Sequence, residues 1–126
     1  MVLNAKELIN KKKIIEDKKN KTIEIEVPDI GAFKFRLPDI NDYNDSEAYG
    51  KSRKDNLKSN NYLLYACCLE PDLKDPELQK AYEVKDPVDI VDKIFLFGEV
   101  GTIADILIKK AGFDKEVMGV YEKLKN

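Results

Sequence analysis

The sequence predicts an α+β fold, in which an N-terminal antiparallel β-hairpin packs on a small, mostly helical bundle of four to six helices. Two observations support this prediction. Apolar and charged residues alternate in two short segments near the N-terminus, as is typical of half-buried strands. After Pro38 the apolar spacing becomes helical. Because an isolated hairpin is marginally stable in water, we expect its apolar face to pack on the helices.

The chain of 126 residues is expected to fold as one domain, 1–126. The N-terminal helix and the hairpin are predicted at about 4–37, and the helical part at about 39–125. Apolar residues make up 43% of the sequence and charged residues 37%. This composition is too apolar for a disordered chain and too charged for a membrane protein.

The N-terminus is predicted to form a short helix that is rich in lysine. Asn4 can cap this helix, and Glu7 stands where a capping box requires an acidic residue. Seven lysines lie between Lys6 and Lys21, against three acidic residues. One interpretation is an arm that binds an acidic partner or nucleic acid. We favour a solvated helix end and linker, because no Arg or aromatic residue is interleaved for base stacking.

The hairpin is predicted at Thr22–Val27 and Phe33–Leu37, joined by turn residues at Pro28–Gly31. Each strand places its apolar residues on one face and its charged residues on the other. We therefore expect the side chains of Lys34 and Arg36 to face the two glutamates of the first strand.

Two helices are predicted directly after the hairpin. The first lies near Asp39–Tyr49, with Asp39 or Asp42 able to cap it, and is followed by a polar stretch at 50–55. The second and longer helix is predicted to end at Glu70, because Pro71 cannot continue it. Its buried stripe is expected to contain Leu57, Leu64 and Cys68.

Two Asp-Pro pairs, at 75–76 and 86–87, predict the starts of two further helices. One extends through Tyr82 and the other to Phe97, where Gly98 breaks or caps it. The next helix is predicted to run to Ala111, with Gly112 as its C-terminal glycine. Asp114 can cap a last helix, in which four apolar residues recur at helical spacing: Val117, Val120, Tyr121 and Leu124.

The residue types present exclude several kinds of active site. The sequence contains no His, which excludes His-based acid–base catalysis, Ser-His-Asp and Cys-His triads, and His-containing zinc sites. The adjacent Cys67 and Cys68 are interpreted as small packing residues, with a metal or redox pair as the minor alternative. Phosphate-binding and dinucleotide-binding motifs are missing. We expect no catalytic, cofactor-binding or metal-binding residues and no enzymatic activity.

The sequence suggests neither secretion nor a membrane span. Residues 1–10 hold only short apolar pairs before a lysine run, and no apolar run approaches the roughly 18 residues that cross a bilayer. The formal net charge of -2 argues against a protein built around DNA affinity. We therefore expect a cytoplasmic protein without a membrane partner, for which nucleic acid is a disfavoured ligand.

The apolar run Ile94–Phe97 is the strongest candidate for a partner-binding surface. Successive residues of a helix turn by about 100°, so four consecutive apolar residues would surround it. A central helix packed on two sides explains such a run, and so does an apolar surface kept for a partner. The candidate surface lies on the helices at 88–111. Its predicted partner-binding residues are Phe95, Leu96, Phe97, Val100, Ile103 and Leu107.

Several segments in this order resemble a known family. They are Lys-Thr-Ile-Glu-Ile (21–25), Gly-Ala-Phe-Lys-Phe-Arg (31–36), Leu-Leu-Tyr-Ala-Cys-Cys (63–68), Leu-Lys-Asp-Pro-Glu-Leu-Gln (73–79), Val-Lys-Asp-Pro (84–87) and a closing helix from Glu99 to Gly112. Over roughly residues 5–113 the chain resembles the XkdN-like tail assembly chaperones of tailed phages, prophages and phage-tail-like bacteriocins.

The resemblance implies a non-enzymatic role in the cytoplasm of a bacterial host. Such chaperones are thought to coat the long helical tape measure protein, keep it soluble, and help recruit tail tube subunits before they leave the finished tail. The implied partners are the tape measure protein and the tail tube protein, and weak self-association is left open. The family motifs transfer no catalytic or partner-contact residue to this sequence.

Two other functions remain open from the residues. A small nucleic-acid-binding regulator would use the lysine-rich N-terminus, and its affinity would fall steeply with salt. A structural tail adaptor would bind similar partners but would stay in the finished particle. We favour the tail assembly chaperone.

Overall fold

The computed structural model describes residues 2–113, which contain a three-stranded antiparallel sheet and seven α-helices. The strands are Thr22–Val27 (β1), Gly31–Arg36 (β2) and Cys68–Glu70 (β3). The helices are Ala5–Asn10 (α1), Lys12–Lys19 (α2), Ile40–Arg53 (α3), Lys58–Cys67 (α4), Pro76–Ala81 (α5), Ile90–Ile94 (α6) and Phe97–Ile108 (α7). A 3₁₀ turn, Pro87–Asp89, precedes α6, and a wide helical turn, Lys109–Phe113, follows α7.

The predicted α+β class is confirmed, and the five α-helices that follow the hairpin within residues 2–113, α3–α7, agree with the predicted bundle of four to six. Lys11 interrupts the N-terminal helix and divides it into α1 and α2. The predicted capping box is present, because Asn4 Oδ1 accepts a hydrogen bond from the Glu7 N–H at 2.9 Å. The last predicted helix, which begins at Asp114, lies outside the described residues.

The predicted hairpin is present, with its apolar residues in register. Ile23 lies opposite Phe35, and Glu24 lies opposite Lys34 as expected. Arg36 does not face a glutamate of β1, because its register partner is Thr22. Its side chain leaves the sheet and binds α3 instead, so a tertiary contact replaces the predicted cross-strand pair.

The helix predicted to end at Glu70 ends at Cys67, and the next three residues form β3 beside β2. A third strand covers an edge of the hairpin that would otherwise leave unpaired N–H and C=O groups. Three residues are too few to show an alternating pattern, so the sequence did not reveal this strand. The predicted stripe is also corrected: Leu64 and Cys68 are buried, but Leu57 is 53% exposed.

Helix α3 is longer than predicted, because it continues through the polar stretch to Arg53. Asp39 caps its N-terminus as expected, and Lys54 ends it in a left-handed conformation with φ 55°. Gly50 lies where the start of α4 passes close by. A Cβ at this position would lie 3.3 Å from the Asp55 carbonyl oxygen, so a glycine permits this approach.

The hydrophobic core lies between the sheet and helices α4, α6 and α7. The hairpin contributes Phe33 and Phe35, and α4 contributes Leu64, all of which are buried. The other buried apolar residues of this core are Val27, Leu63, Cys67, Cys68, Leu73, Ile90, Val91, Phe95, Val100, Ile103, Ala104 and Leu107. The apolar face of the hairpin therefore packs on the helices, as predicted.

One ion pair joins the sheet to α3 and α4. The Arg36 guanidinium donates to both carboxylate oxygens of Asp42, at 2.6 and 2.9 Å, and to the Ala66 carbonyl oxygen at 3.1 Å. Asp42 also accepts the N–H of Asp39 at 2.8 Å. The hydrogen bonds from Arg36 lower the pKa of the buried Asp42 carboxyl.

Cys67 and Cys68 are free and buried, in agreement with their interpretation as packing residues. The Cys68 thiol donates to the Pro71 carbonyl oxygen at 3.2 Å. Burial raises the pKa of both thiols to about 12, because the thiolate is poorly solvated inside the core.

We expect both thiols to react slowly with a disulfide reagent in the folded protein. Raising a thiol pKa by about three units lowers the thiolate fraction about a thousandfold near neutral pH. The measurement compares the rate of thiol modification in buffer with the rate in denaturing guanidinium. Equal rates in the two conditions would show that the thiols are not buried and that their pKa values are not raised.

Candidate partner-binding surface

The predicted helix through Ile94–Phe97 is broken inside this run, which corrects the sequence-based interpretation. Helix α6 ends at Ile94, and both Phe95 and Leu96 have extended backbones. Helix α7 begins at Phe97, so Gly98 lies in its first turn and does not end the preceding helix. The apolar run therefore does not surround one helix.

The break sends neighbouring side chains in opposite directions. Phe95 is 5% exposed and packs against Phe33, with ring centroids 4.9 Å apart. Leu96 is 72% exposed and Phe97 is 76% exposed. The Leu96 N–H donates to Glu99 Oε1 at 2.8 Å, which fixes the start of α7. The result is a pair of large apolar side chains on the surface beside a buried anchor.

The structure separates the six predicted partner-binding residues into two groups. Only Leu96 and Phe97 are exposed to solvent. The other four, Phe95, Val100, Ile103 and Leu107, are buried in the hydrophobic core. A partner can touch the first two directly, while the other four support the position of α7.

Two carboxylates hold the segment that precedes the exposed pair. Asp86 accepts a hydrogen bond from the Tyr49 hydroxyl at 2.6 Å and another from Arg53. Asp92 accepts from Lys58 Nζ at 2.8 Å and from Asn61 Nδ2 at 2.9 Å. These bonds tie α6 and the turn before it to α3 and α4. Leu96 and Phe97 are therefore presented from an anchored segment.

A groove of about 330 Å³ lies between the start of α4 and the start of α7. We call it the α4–α7 groove, and it is lined by Asp55, Leu57, Asp92, Phe97, Gly98 and Gly101, among others. A methyl group added at either glycine would meet open space. Leu57 and Phe97 provide apolar surface in this groove. The groove could accommodate an apolar side chain of a partner, because the space above the two glycines is open.

Sequence reasoning missed Leu57, Gly98 and Gly101 as parts of this surface. The sequence pattern places Leu57 on the buried stripe of a long helix and Gly98 at the break or cap that ends a helix. A usable signal did exist, because Phe97 and Gly101 are four residues apart and share one face of a helix. The contribution of Leu57 required the tertiary structure, since α4 is distant from α7 in the chain.

Residues 2–113 lack the features of a metal site and of a membrane-spanning helix. No three His, Cys, Asp or Glu side chains in this range lie together as metal ligands would. None of the helices in the same range is both long and apolar enough to cross a lipid bilayer. The exposed apolar pair, Leu96 and Phe97, and the α4–α7 groove together form the candidate partner-binding surface.

Comparison with known protein families adds a decisive observation to this geometry. A family model described as phage XkdN-like tail assembly chaperone protein matches residues 2–125. The chain belongs to the XkdN-like tail assembly chaperone family. No curated protein and no solved structure matches the chain. The match covers the N-terminal helices, the hairpin and the α4–α7 groove, so all of these features lie in the family region of this tail assembly chaperone.

Proposed function

We propose that this XkdN-like chaperone binds the tape measure protein reversibly through Leu96, Phe97 and the α4–α7 groove. In this role it keeps the long helical partner soluble and helps recruit tail tube subunits. One observation supports this proposal most strongly. Leu96 and Phe97 are adjacent large apolar side chains, and both are exposed to solvent at the break between α6 and α7. A purely structural role in the core explains Phe95 but not its two neighbours.

The energetics suit a contact that forms and is later lost. Burying a Leu or Phe side chain contributes about 1.5–3 kcal/mol each. Association costs about 4–15 kcal/mol in lost freedom of motion, so two anchors alone give weak binding. Many copies along one long helical partner increase the total affinity through multivalency. Each copy can still dissociate when tube subunits take its place.

The first expected result concerns the double variant Leu96→Asp/Phe97→Asp. We expect it to fold normally but to lose most of its ability to keep the co-expressed tape measure protein soluble, because charged groups cannot enter an apolar contact without losing hydration. The soluble fraction of the partner is measured after co-expression with each chaperone variant. Far-ultraviolet circular dichroism and the unfolding midpoint of the purified variant verify that it is folded.

The control is Ile30→Asp, which places a single aspartate at an exposed apolar residue of the hairpin turn. We expect this control to keep the partner soluble. The proposed surface is wrong if the folded double variant solubilises the partner as well as the unmodified protein does. Phe95→Asp is unsuitable for this test because Phe95 is a core residue.

A chaperone and a retained adaptor differ in where the protein is found after assembly. We propose that this chain leaves the tail, so mass spectrometry of purified tails should not detect it at the level of a structural subunit. Detection at a fixed ratio to the tail tube protein would instead identify a structural adaptor. The same purified tails provide the internal standard, because the tube protein is present in every sample.

A further inference from the structure

A second and larger cleft lies at the opposite ends of α4 and α7 from the α4–α7 groove. We call it the basic cleft. It has a volume of about 850 Å³ and is lined by the end of α2, residues 36–39, Leu69 and residues 110–112. Leu69 follows the end of α4, and residues 110–112 follow the end of α7. Because a helix of 12 residues such as α7 is about 18 Å long, the basic cleft and the α4–α7 groove are separate sites.

Three lysines make this cleft basic. Lys18 and Lys19 reach it from the last turn of α2, and Lys110 reaches it from the turn after α7. All three residues are exposed, and none of them forms an ion pair with another residue between 2 and 113. A lysine near a helix end stabilises the helix dipole, but that role does not require two helix ends to meet at one cleft. The three ammonium groups are therefore available to a negatively charged ligand.

Arg36 and Asp39 also line the cleft, but both are already engaged. The Arg36 guanidinium donates to both carboxylate oxygens of Asp42, and the Asp39 carboxylate accepts the Asp42 N–H at 3.0 Å. Apolar side chains also belong to the lining, since Ile15 of α2 and Leu69 of β3 remain exposed there. Ammonium groups beside exposed apolar side chains favour a ligand that is both anionic and apolar.

An acidic protein segment fits this chemistry better than nucleic acid or the C-terminal residues of the chain itself. The bases of single strands stack on aromatic side chains, and the lining of the cleft within residues 2–113 contains none. Residues 114–126 carry three acidic and three basic residues, so they bring no net negative charge to the lysines. The carboxylates of a partner can each accept a charge-assisted hydrogen bond from an ammonium group.

We infer that the basic cleft binds an acidic segment of a partner protein, in which an apolar residue such as leucine lies among glutamates or aspartates. The carboxylates bind the three lysines, while the apolar side chain packs against Ile15 and Leu69. One copy of the chain can then hold this segment and, at the α4–α7 groove, a second partner segment at the same time. The inference is independent of the proposed function, since its test contains no tape measure protein.

Fluorescence anisotropy tests the inference with the purified full-length chain and a fluorescein-labelled peptide, Glu-Glu-Leu-Glu-Glu-Leu-Glu-Glu. We expect a dissociation constant below about 1 mM at low salt, which rises as added salt screens the charges. Lys18→Glu/Lys110→Glu should raise this constant at least about tenfold, because like charges then face each other across the contact. Lys18→Gln/Lys110→Gln should raise it by a smaller factor. The same peptide with serine in place of both leucines should bind about fivefold more weakly, because it buries less apolar surface.

The matched control is Lys51→Glu/Lys80→Glu, which reverses two exposed lysines in the last turns of α3 and α5, outside the cleft. It should bind the peptide normally, and circular dichroism verifies that each variant is folded. The inference is overturned if the unmodified protein does not bind the peptide, if the control loses binding equally, or if the serine peptide binds as tightly. It is also overturned if a short oligothymidylate binds more tightly than the peptide and depends on the same two lysines, as a nucleic-acid site would.

Discussion

Replacing Phe95 with Ala is expected to destabilise the protein by about 3–5 kcal/mol, which is the usual cost of removing a buried aromatic side chain. Phe95 is buried against Phe33 of β2, so the change opens a cavity between the hairpin and the helices. Folded domains have a total stability of about 5–15 kcal/mol, so this loss is a large share of the total. Urea unfolding at equilibrium measures the difference.

Phe97→Ala is the matched control, because it removes the same side chain two positions away. Phe97 is mostly exposed, so we expect its loss to change the free energy of unfolding by less than about 0.5 kcal/mol. The contrast between the two variants tests the helix break directly. If both variants lose the same stability, the two side chains do not point in opposite directions.

Asp42→Asn is expected to reduce stability by about 1–2 kcal/mol at neutral pH. A hydrogen bond to a buried charged group contributes about 1.5–3 kcal/mol, and the 37% exposure of the Arg36 side chain reduces this value through solvent screening. The amide can still accept the Asp39 N–H, so the variant removes mainly the ion pair. Asp45→Asn, an exposed change in the same helix, should leave the free energy of unfolding unchanged.

The ion pair also predicts how stability depends on pH. Because the pKa of Asp42 is lowered in the folded state, its contribution is fully present above the unfolded-state value of about 3.9. The contribution is lost as pH falls through the lower folded-state pKa. The stability difference between the unmodified protein and Asp42→Asn should therefore shrink below about pH 4. A difference that stays constant from neutral to acidic pH would contradict the role assigned to this carboxylate.

The candidate surface could be predicted from the sequence only in part. The apolar run at 94–97 singles out the segment that carries the exposed pair, because four large apolar residues in succession are unusual next to a glycine. The direction of each side chain could not be predicted, since Phe95 is held by Phe33, which lies 62 positions earlier in the chain. Contacts over such distances leave no periodic signal in the local sequence.

Features that depend on neighbours close in the chain were predictable from the residues alone. Alternation defined the β1–β2 hairpin, and short side chains that cap their own helices marked starts such as Asn4 and Asp39. These interactions form within a few residues, so a local pattern is sufficient to predict them. The family resemblance rested on similar local signals, such as the residues at which helices start and end. The family match over residues 2–125 confirmed it.

Two features depend on contacts between distant segments: Cys68–Glu70 form a strand, and Leu96 and Phe97 remain exposed to solvent. Strand β3 forms because the edge of β2 is free to pair with it. The helix breaks before α7 because the extended backbone at Phe95 lets this side chain enter the core. Both outcomes depend on surfaces built by distant segments. Their free energies come from burial and long-range pairing, which overcome the local helical preference of these residues.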